Sequence, residues 1–395
     1  MQQKIIVVGA GIFGVTAALE LKSRGHDVSI FDPGPIPHPE ASSTDITKMI
    51  RMDYGTDTLY YNMMEQAFEG WRAWNAEWGE DLFHEDGFLL MRKDPFAPGI
   101  YEQDCFDELT KRGHNPTRVN SEKLAADHPM WNAEVYADGY RNDVAGWAQS
   151  GRVVEKLSER MREVGISIHE GAAMQSLLQS DGTVTGIVTA DGIEHTADVV
   201  IVAAGAWTPV LLPELEDVMW PTGHPVIHFD PPNPDDFRPP TFRPWSADIS
   251  RTGWYGFPLH PTGVVKIANH GDGIPVDPPG EKVVPQEWID RALAFVKETF
   301  PALADAPIMK TRLCMYCDTW DGDLWVDHDP NRPGLVVASG GSGHGFKFAP
   351  VLGGLIADVV EKRPNPFAER FAWRERGELR RESARFDSTR ELKTE

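Results

Sequence analysis

The stretch that most narrows the fold lies at the start of the chain. Lys4 to Val8 (KIIVV) is a short β-branched run, Gly9, Gly11 and Gly14 follow in G-x-G-x-x-G spacing, and VTAALELKSRG continues with helical composition. That order reads strand, tight turn, helix. The next apolar run, DVSIFD, ends in Asp32, at the separation from the glycines where an acidic side chain holds a ribose hydroxyl. Gly9 permits the turn, Gly11 lets backbone N–H groups approach a pyrophosphate, and Gly14 lets helix and strand pack closely with the helix N-terminus facing the negative charge. The pattern predicts a Rossmann-type α/β unit for a dinucleotide, and by itself leaves NAD and FAD both open.

The same grammar returns twice. GIVTADGIEHTADVVIVAAGAW reads as a hairpin turning at ADG, a buried strand from Val199 to Ala203 and a break at Gly205; GLVVASGGSGHGFKFAPVLGGLIADVVEK reads as strand, glycine-rich loop, helix. Between them, DGFLLMRK predicts a strand and QSGRVVEKLSERMREVG an amphipathic helix with Val153, Val154, Leu157 and Met161 in its core stripe. From Met219 to Ala306 the proline-rich PPNPDDFRPPTFRPW and short aromatic or β-branched runs predict a strand-rich second unit inserted into the first. The expected division is a nucleotide domain over 1–85, 145–218 and 325–366, a substrate domain with an antiparallel or mixed sheet over 86–144 and 219–324, and a charged tail, 367–395, with no readable motif. Dehydrogenases more often keep the Rossmann unit contiguous, so this interleaving favours FAD.

Charge and cysteine content exclude other classes. With 38 basic against 60 acidic residues the formal charge is −22, so a nucleic acid is not expected as a partner, and an anionic ligand must be caught by a local basic cluster. The three cysteines, Cys105, Cys314 and Cys317, are too few for a disulfide scaffold. There is no basic leader ahead of KIIVVGAGIFG and no apolar run of the ~18 residues a membrane span needs, so a soluble, cytoplasmic protein is expected, a monomer or small homo-oligomer. Cys314 and Cys317 stand in the Cys-x-x-Cys spacing of a zinc knuckle or redox dithiol. Zinc would need further ligands, and no second Cys pair occurs; the dithiol needs a thioredoxin-like helix start that this context lacks. No metal site is expected.

At this point the chain resembles, over essentially its whole length, the monomeric sarcosine oxidase and fructosyl-amino-acid oxidase group of the D-amino-acid-oxidase superfamily. The carriers, in order, are VVGAGIFG, SSTDITKMIRMDYG, VAAGAW, YGFP, KIANH, CMY and GSGHGFKF. The resemblance implies FAD, held by Gly9, Gly11, Gly14, Asp32, Ser43, Thr47, Gly343, Gly345 and Lys347, and tethered through a thioether from Cys314 to the 8α position of the isoalloxazine. It implies oxidation of a C–N bond in a secondary or N-substituted amino acid, sarcosine-, pipecolate- or fructosyl-amino-acid-like, with O2 reduced to H2O2.

Roles for the remaining candidates follow from the same resemblance. Arg51 and Lys347 would bind the substrate carboxylate, a contact suited to a guanidinium fork. Lys266 would be the cation that promotes electron transfer to oxygen, and His270 would contact the substrate and keep its amine neutral; a lone histidine of this kind is otherwise more often structural. Tyr255 and Tyr316 read equally as pocket walls or as packed aromatics. Lys48 stands where sarcosine oxidases carry an arginine above the flavin, as in the fructosyl-amino-acid and saccharopine oxidases, whereas His270 departs from the acidic residue of the deglycating branch. The pocket is therefore a mixture, and the amine is left open. The rival readings are a flavin-dependent amine dehydrogenase or demethylase using another acceptor, against which Lys266 speaks, and a non-catalytic FAD-binding protein, against which the intact basic residues speak.

Overall fold

A computed structural model describes residues 1–386. Its first sheet runs, in spatial order, Trp325–His328, Leu335–Ser339, Val199–Val202, Lys4–Val8, Asp27–Asp32 and Ser167–Glu170, parallel throughout except for the Trp325–His328 edge. Near-continuous apolar strands of this kind require cover on both faces. Ile5 and Val7 face the helices Ile12–Ser23, Ser150–Glu163 and Ala349–Val360, while Ile6 and Val8 face a small antiparallel sheet of Met174–Ser180, Thr183–Thr189 and Glu194–Thr196. The predicted stripe of Val153, Val154, Leu157 and Met161 is buried in that first layer.

The second large sheet begins at Ile274–Pro275 and continues through Met219–Phe229, Val265–Asn269, Trp254–Gly256, Trp245–Ala247, Phe88–Arg92, Asp138–Asn142 and Thr117–Arg118. Ile308–Thr319 pairs along Met219–Phe229 as well, and the sheet is antiparallel except between Trp245–Ala247 and Phe88–Arg92. An aromatic-rich core of Trp131, Trp245, Phe295 and Phe300 seals its far side beneath the helix Gln286–Thr299. Register decides which side chains meet: His224 lies opposite Cys314, Thr222 opposite Tyr316 and His228 opposite Lys266. Among the described residues no helix is long and apolar enough to cross a membrane.

The segment after Pro366 crosses the molecule on ion pairs. Arg370 binds Asp57 at 2.8 Å, Arg374 binds Asp321 at 2.6 Å, Arg380 binds Asp323 at 3.2 Å and Arg381 binds Asp272 at 3.2 Å. The charge that read as featureless in sequence is the complement of aspartates spread over the body.

Candidate active site

Where the first strand meets its helix, the glycines do what their spacing implies. A Cβ on Gly14 would lie 1.9 Å from the carbonyl oxygen of Gly9, and one on Gly9, at φ +98°, would lie 2.6 Å from Ala203 O. Those positions have no room for a side chain. Gly11 is different: a Cβ there would meet only Ser43 Oγ at 3.5 Å, on the wall of an elongated cavity of about 380 Å³. The helix Ile12–Ser23 opens onto this cavity without a side-chain cap, apart from Ser43 Oγ, which accepts the Ile12 N–H at 2.9 Å. Asp32 lines the same cavity, its Oδ2 accepting the Ala10 N–H at 2.9 Å; burial pushes its carboxyl pKa up.

From Gly9 and Asp32 the cavity extends past Ser43 and Lys48 to Tyr316, Gly343 and Gly345. A long cleft with uncapped helix amides near an acid at one end and a glycine loop at the other fits an extended dinucleotide such as FAD. Thr47 is buried, with an Oγ1 that has no hydrogen-bond partner among the described residues. Gly345 is on the cavity wall with no room for a side chain, since a Cβ there would meet the Phe13 ring at 2.9 Å.

A second, smaller cavity of about 60 Å³ abuts the first, and Lys48, Tyr316, Gly343 and Phe346 line both. Arg51, Tyr255, His270 and Lys347 complete the gathering of candidates there. Gly343, at φ +79°, gives the shared wall its thinness, since a Cβ would fall 2.1 Å from Tyr316 Cε2. Lys347 is 4% exposed; its Nζ donates to Tyr54 Oη at 3.0 Å and sits 4.7 Å from the Tyr54 ring centre. Burial and the nearby Arg51 charge bring its pKa down to about 7. Tyr54 in turn meets His344 Nδ1 at 2.9 Å. Tyr316 stacks on His224 at 3.8 Å between centroids.

Lys266 is not on either wall. It stands behind Lys48, with Nζ on Asp45 in a short ion pair and on the Thr47 carbonyl at 2.8 Å, and burial brings its pKa down to about 8. Lys48 lies between them and the cavities, 3.8 Å from Asp45 and 3.6 Å from Cys314 Sγ. Cys314 and Tyr316 share one face of Ile308–Thr319, beside Val226 and Ala268, with Cys314 behind Lys48 and on the wall of neither cavity, whereas Cys317 falls on the opposite face, in the apolar layer under the first sheet and on the wall of the larger cavity, 3.5 Å from Ser339 Oγ. The strand's two-residue period thus splits the Cys-x-x-Cys pair, which forms no dithiol. Among the described residues no cluster of three metal-ligating side chains occurs.

The tail supplies what the sequence did not announce. Glu382 reaches into the smaller cavity, with Oε1 3.2 Å from Arg51 Nη2 and Oε2 2.9 Å from His270 Nε2. Burial opposes its charge, yet His344, His270 and Arg51 around it hold its pKa well below the usual carboxylate range. His270 is neutral near pH 7, burial driving its pKa to about 4 in spite of Glu382. Of the two cations expected to bind the substrate carboxylate, both line this cavity: Arg51 is paired with Glu382, and Lys347 Nζ meets the Tyr54 hydroxyl. Three residues on, Arg385 grips Asp318 at 2.6 and 2.7 Å. Asp45 and Tyr54 lay within the motif SSTDITKMIRMDYG and could have been singled out; Glu382 and Arg385 carried no local signal.

Comparison with known proteins agrees with this architecture. The chain is similar to L-saccharopine oxidase of Schizosaccharomyces pombe, 26% identical over 419 residues, covering 95% of this chain and 94% of that protein. It is similar to monomeric sarcosine oxidase of a Bacillus strain, 26% identical with 90% and 91% covered. Among solved structures, fructosyl amine:oxygen oxidoreductase (Amadoriase I) from Aspergillus fumigatus superposes with a TM-score of 0.83 at 26% identity, covering 98% of this chain and 94% of that one. Residues 4–359 match the family model described as FAD dependent oxidoreductase. On that match across most of its length, and with a cleft that fits the dinucleotide, the chain belongs to the FAD-dependent oxidoreductase family.

Proposed function

We propose that the protein is an oxidase of a secondary or N-substituted amino acid. The observation that carries this reading is the thin wall of Lys48, Tyr316 and Gly343, which sets a dinucleotide cleft directly against a small pocket containing a buried lysine. FAD, when bound, would accept a hydride equivalent from the C–H carbon beside the substrate nitrogen, leaving an imine as the N–H proton departs, and O2 would take up the two electrons and two protons as H2O2. Gly9, Gly11, Gly14, Asp32, Ser43, Thr47, Gly343 and Gly345 are the residues proposed to hold it, with Cys314 as the covalent tether behind Lys48.

The protein's own groups then divide the work. Lys347 seats the α-carboxylate, because a buried ammonium whose partner is a hydroxyl gains most from an anion. Tyr255 and Tyr316 shape the pocket and exclude water from it. Neutral His270, steadied by Glu382, accepts rather than donates a hydrogen bond at its free edge and so favours the uncharged amine that gives up hydride. Lys48 on the cleft wall, with the Lys266–Asp45 pair behind it, leaves one net positive charge beside the cleft, the field that favours the anionic character oxygen acquires as it is reduced. A dehydrogenase using another acceptor would have no need of that charge. The unpaired thiols suit a reducing, cytoplasmic setting.

The experiment is a screen of peroxide release by the FAD-loaded protein with sarcosine, pipecolate, N-methyltryptophan, saccharopine and fructosyl amino acids. Catalytic peroxide from at least one is expected. Reduction by substrate without reoxidation in air would replace the oxidase reading with the dehydrogenase one.

A further inference from the structure

Glu382 stands where an amino-acid substrate would otherwise find a second cation. Its carboxylate satisfies Arg51 at 3.2 Å and His270 at 2.9 Å, and its side chain is 4% exposed. The placement is built rather than incidental. On one side the Arg380 N–H donates to the Trp320 carbonyl at 2.8 Å and Arg381 pairs with Asp272. On the other, Arg385 is locked to Asp318 and to the Gly271 carbonyl, and the Phe386 N–H donates to the His270 carbonyl at 3.1 Å. The backbone is thus held on both sides of Glu382. Among the described residues lining this cavity, Lys347 is the cation without a carboxylate within ion-pair distance; Lys48 has Asp45 at 3.8 Å and Arg51 has Glu382.

We propose that Glu382 is a specificity-determining residue: it reserves Arg51 for itself, so that the pocket seats one substrate carboxylate, on Lys347, and turns away N-substituents bearing a second carboxylate. The inference rests on the amino-acid oxidase reading above and deepens it. A second carboxylate in a cavity of about 60 Å³ has no free cation to meet and must lie close to a buried anion. Like charges at such separations in a poorly solvated site repel strongly, and discrimination of this kind comes from the repulsive element rather than from added contacts.

The test compares substrates of matched shape on the FAD-loaded protein: N-propylglycine against N-(2-carboxyethyl)glycine, with propionate and glutarate titrated calorimetrically as non-reacting probes. The wild type is expected to favour the neutral N-substituent by about 30-fold or more in kcat/KM and to bind propionate more tightly than glutarate. Glu382→Gln, which can still accept from Arg51, is expected to narrow both ratios at least about tenfold by improving the acidic member of each pair. Equal wild-type preference within each pair would overturn the proposal, as would a Glu382→Gln variant that weakens the acidic members. If no amine releases peroxide, the oxidase reading fails on its own account, and the propionate and glutarate titrations still decide the role of Glu382.

Discussion

Arg385→Met isolates the device that fixes the tail. Arg385 is 2% exposed, and its guanidinium makes two bonds to Asp318 at 2.6 and 2.7 Å, one to the Gly271 carbonyl at 2.7 Å and a contact with His224 Nε2 at 3.1 Å. Burial pushes the Asp318 carboxyl upward, but Arg385 overrides it and holds the pKa at about 2 against an ordinary 3.8. A folded-state pKa below the unfolded one contributes stability above pH 3.8 that is lost as the pH falls towards 2, here about 2 kcal/mol. Removing the arginine forfeits that and leaves a buried charge uncompensated, for a cost of about 3–5 kcal/mol. Over 395 residues at ~2.1 cal/mol/K per residue this lowers the melting temperature by about 4–6 °C.

The pH dependence gives the sharper test. Without Arg385, burial, the largest influence on Asp318, is opposed only by the Thr222 hydroxyl at 2.6 Å and by His224, so its pKa rises above the unfolded value and the folded state becomes the better proton acceptor. The deficit relative to wild type should then shrink as pH falls from 8 to 5.5, and His224, relieved of the neighbouring guanidinium, titrates in the same sense. Calorimetric melting of the FAD-loaded protein at both pH values, with Arg385→Met/Asp318→Asn alongside, measures this. The double variant should recover more than half of the loss, since it removes the stranded charge. A single variant melting within about 1 °C of wild type at both pH values, or a double variant no better than the sum of the singles, would refute the reasoning.

Gly343→Ala forces a Cβ to 2.1 Å from the Tyr316 ring at φ +79°, so a loss of about 1–3 kcal/mol of stability and a fall of more than about tenfold in kcat/KM are expected; wild-type kinetics would mean that the shared wall is not where the chemistry lies. Propionate binding should weaken above pH 7, by up to about tenfold per unit, because Lys347 must take up a proton to pair with it, and Lys347→Met should flatten the profile; calorimetry in buffers of different ionisation enthalpy reads the proton uptake directly. Acid-denatured wild type and Cys317→Ala should keep yellow flavin in the protein pellet while Cys314→Ala releases it, and a wild type that releases flavin would remove the tether. His228, His260 and His270, each buried and neutral with a pKa of about 4, bind fewer protons folded than unfolded between pH 6.5 and 4, so stability should fall across that window as pH is lowered; a flat melting curve there would contradict their burial.

Legibility in the sequence followed the range of the interactions. Gly9 and Gly14 could be read because the reason for each is local: the atom a Cβ would strike lies within the same strand–turn–helix unit or on the neighbouring strand. The helix Ser150–Glu163 and the strands Lys4–Val8 and Val199–Val202 were legible through period and composition, as was the strand–loop–helix that carries Lys347. Lys48, Arg51, Tyr255, His270, Tyr316 and Lys347 come from widely separated segments, and it was their motifs in order, not any one spacing, that placed them together.

The state of those side chains was decided by the fold alone. Nothing in KIANH says that Lys266 is paired with Asp45, and nothing in the arginine- and glutamate-rich tail says that Glu382 would take Arg51 and His270 or that Arg385 would clamp Asp318. The sequence determined the nucleotide-binding grammar and the set of reactive residues, because both rest on backbone geometry and short-range pattern. Which cation stays open for a substrate, and which is already neutralised, depends on charges brought together across hundreds of residues in a site where burial raises the cost of every unpaired one, and only the tertiary structure could settle that.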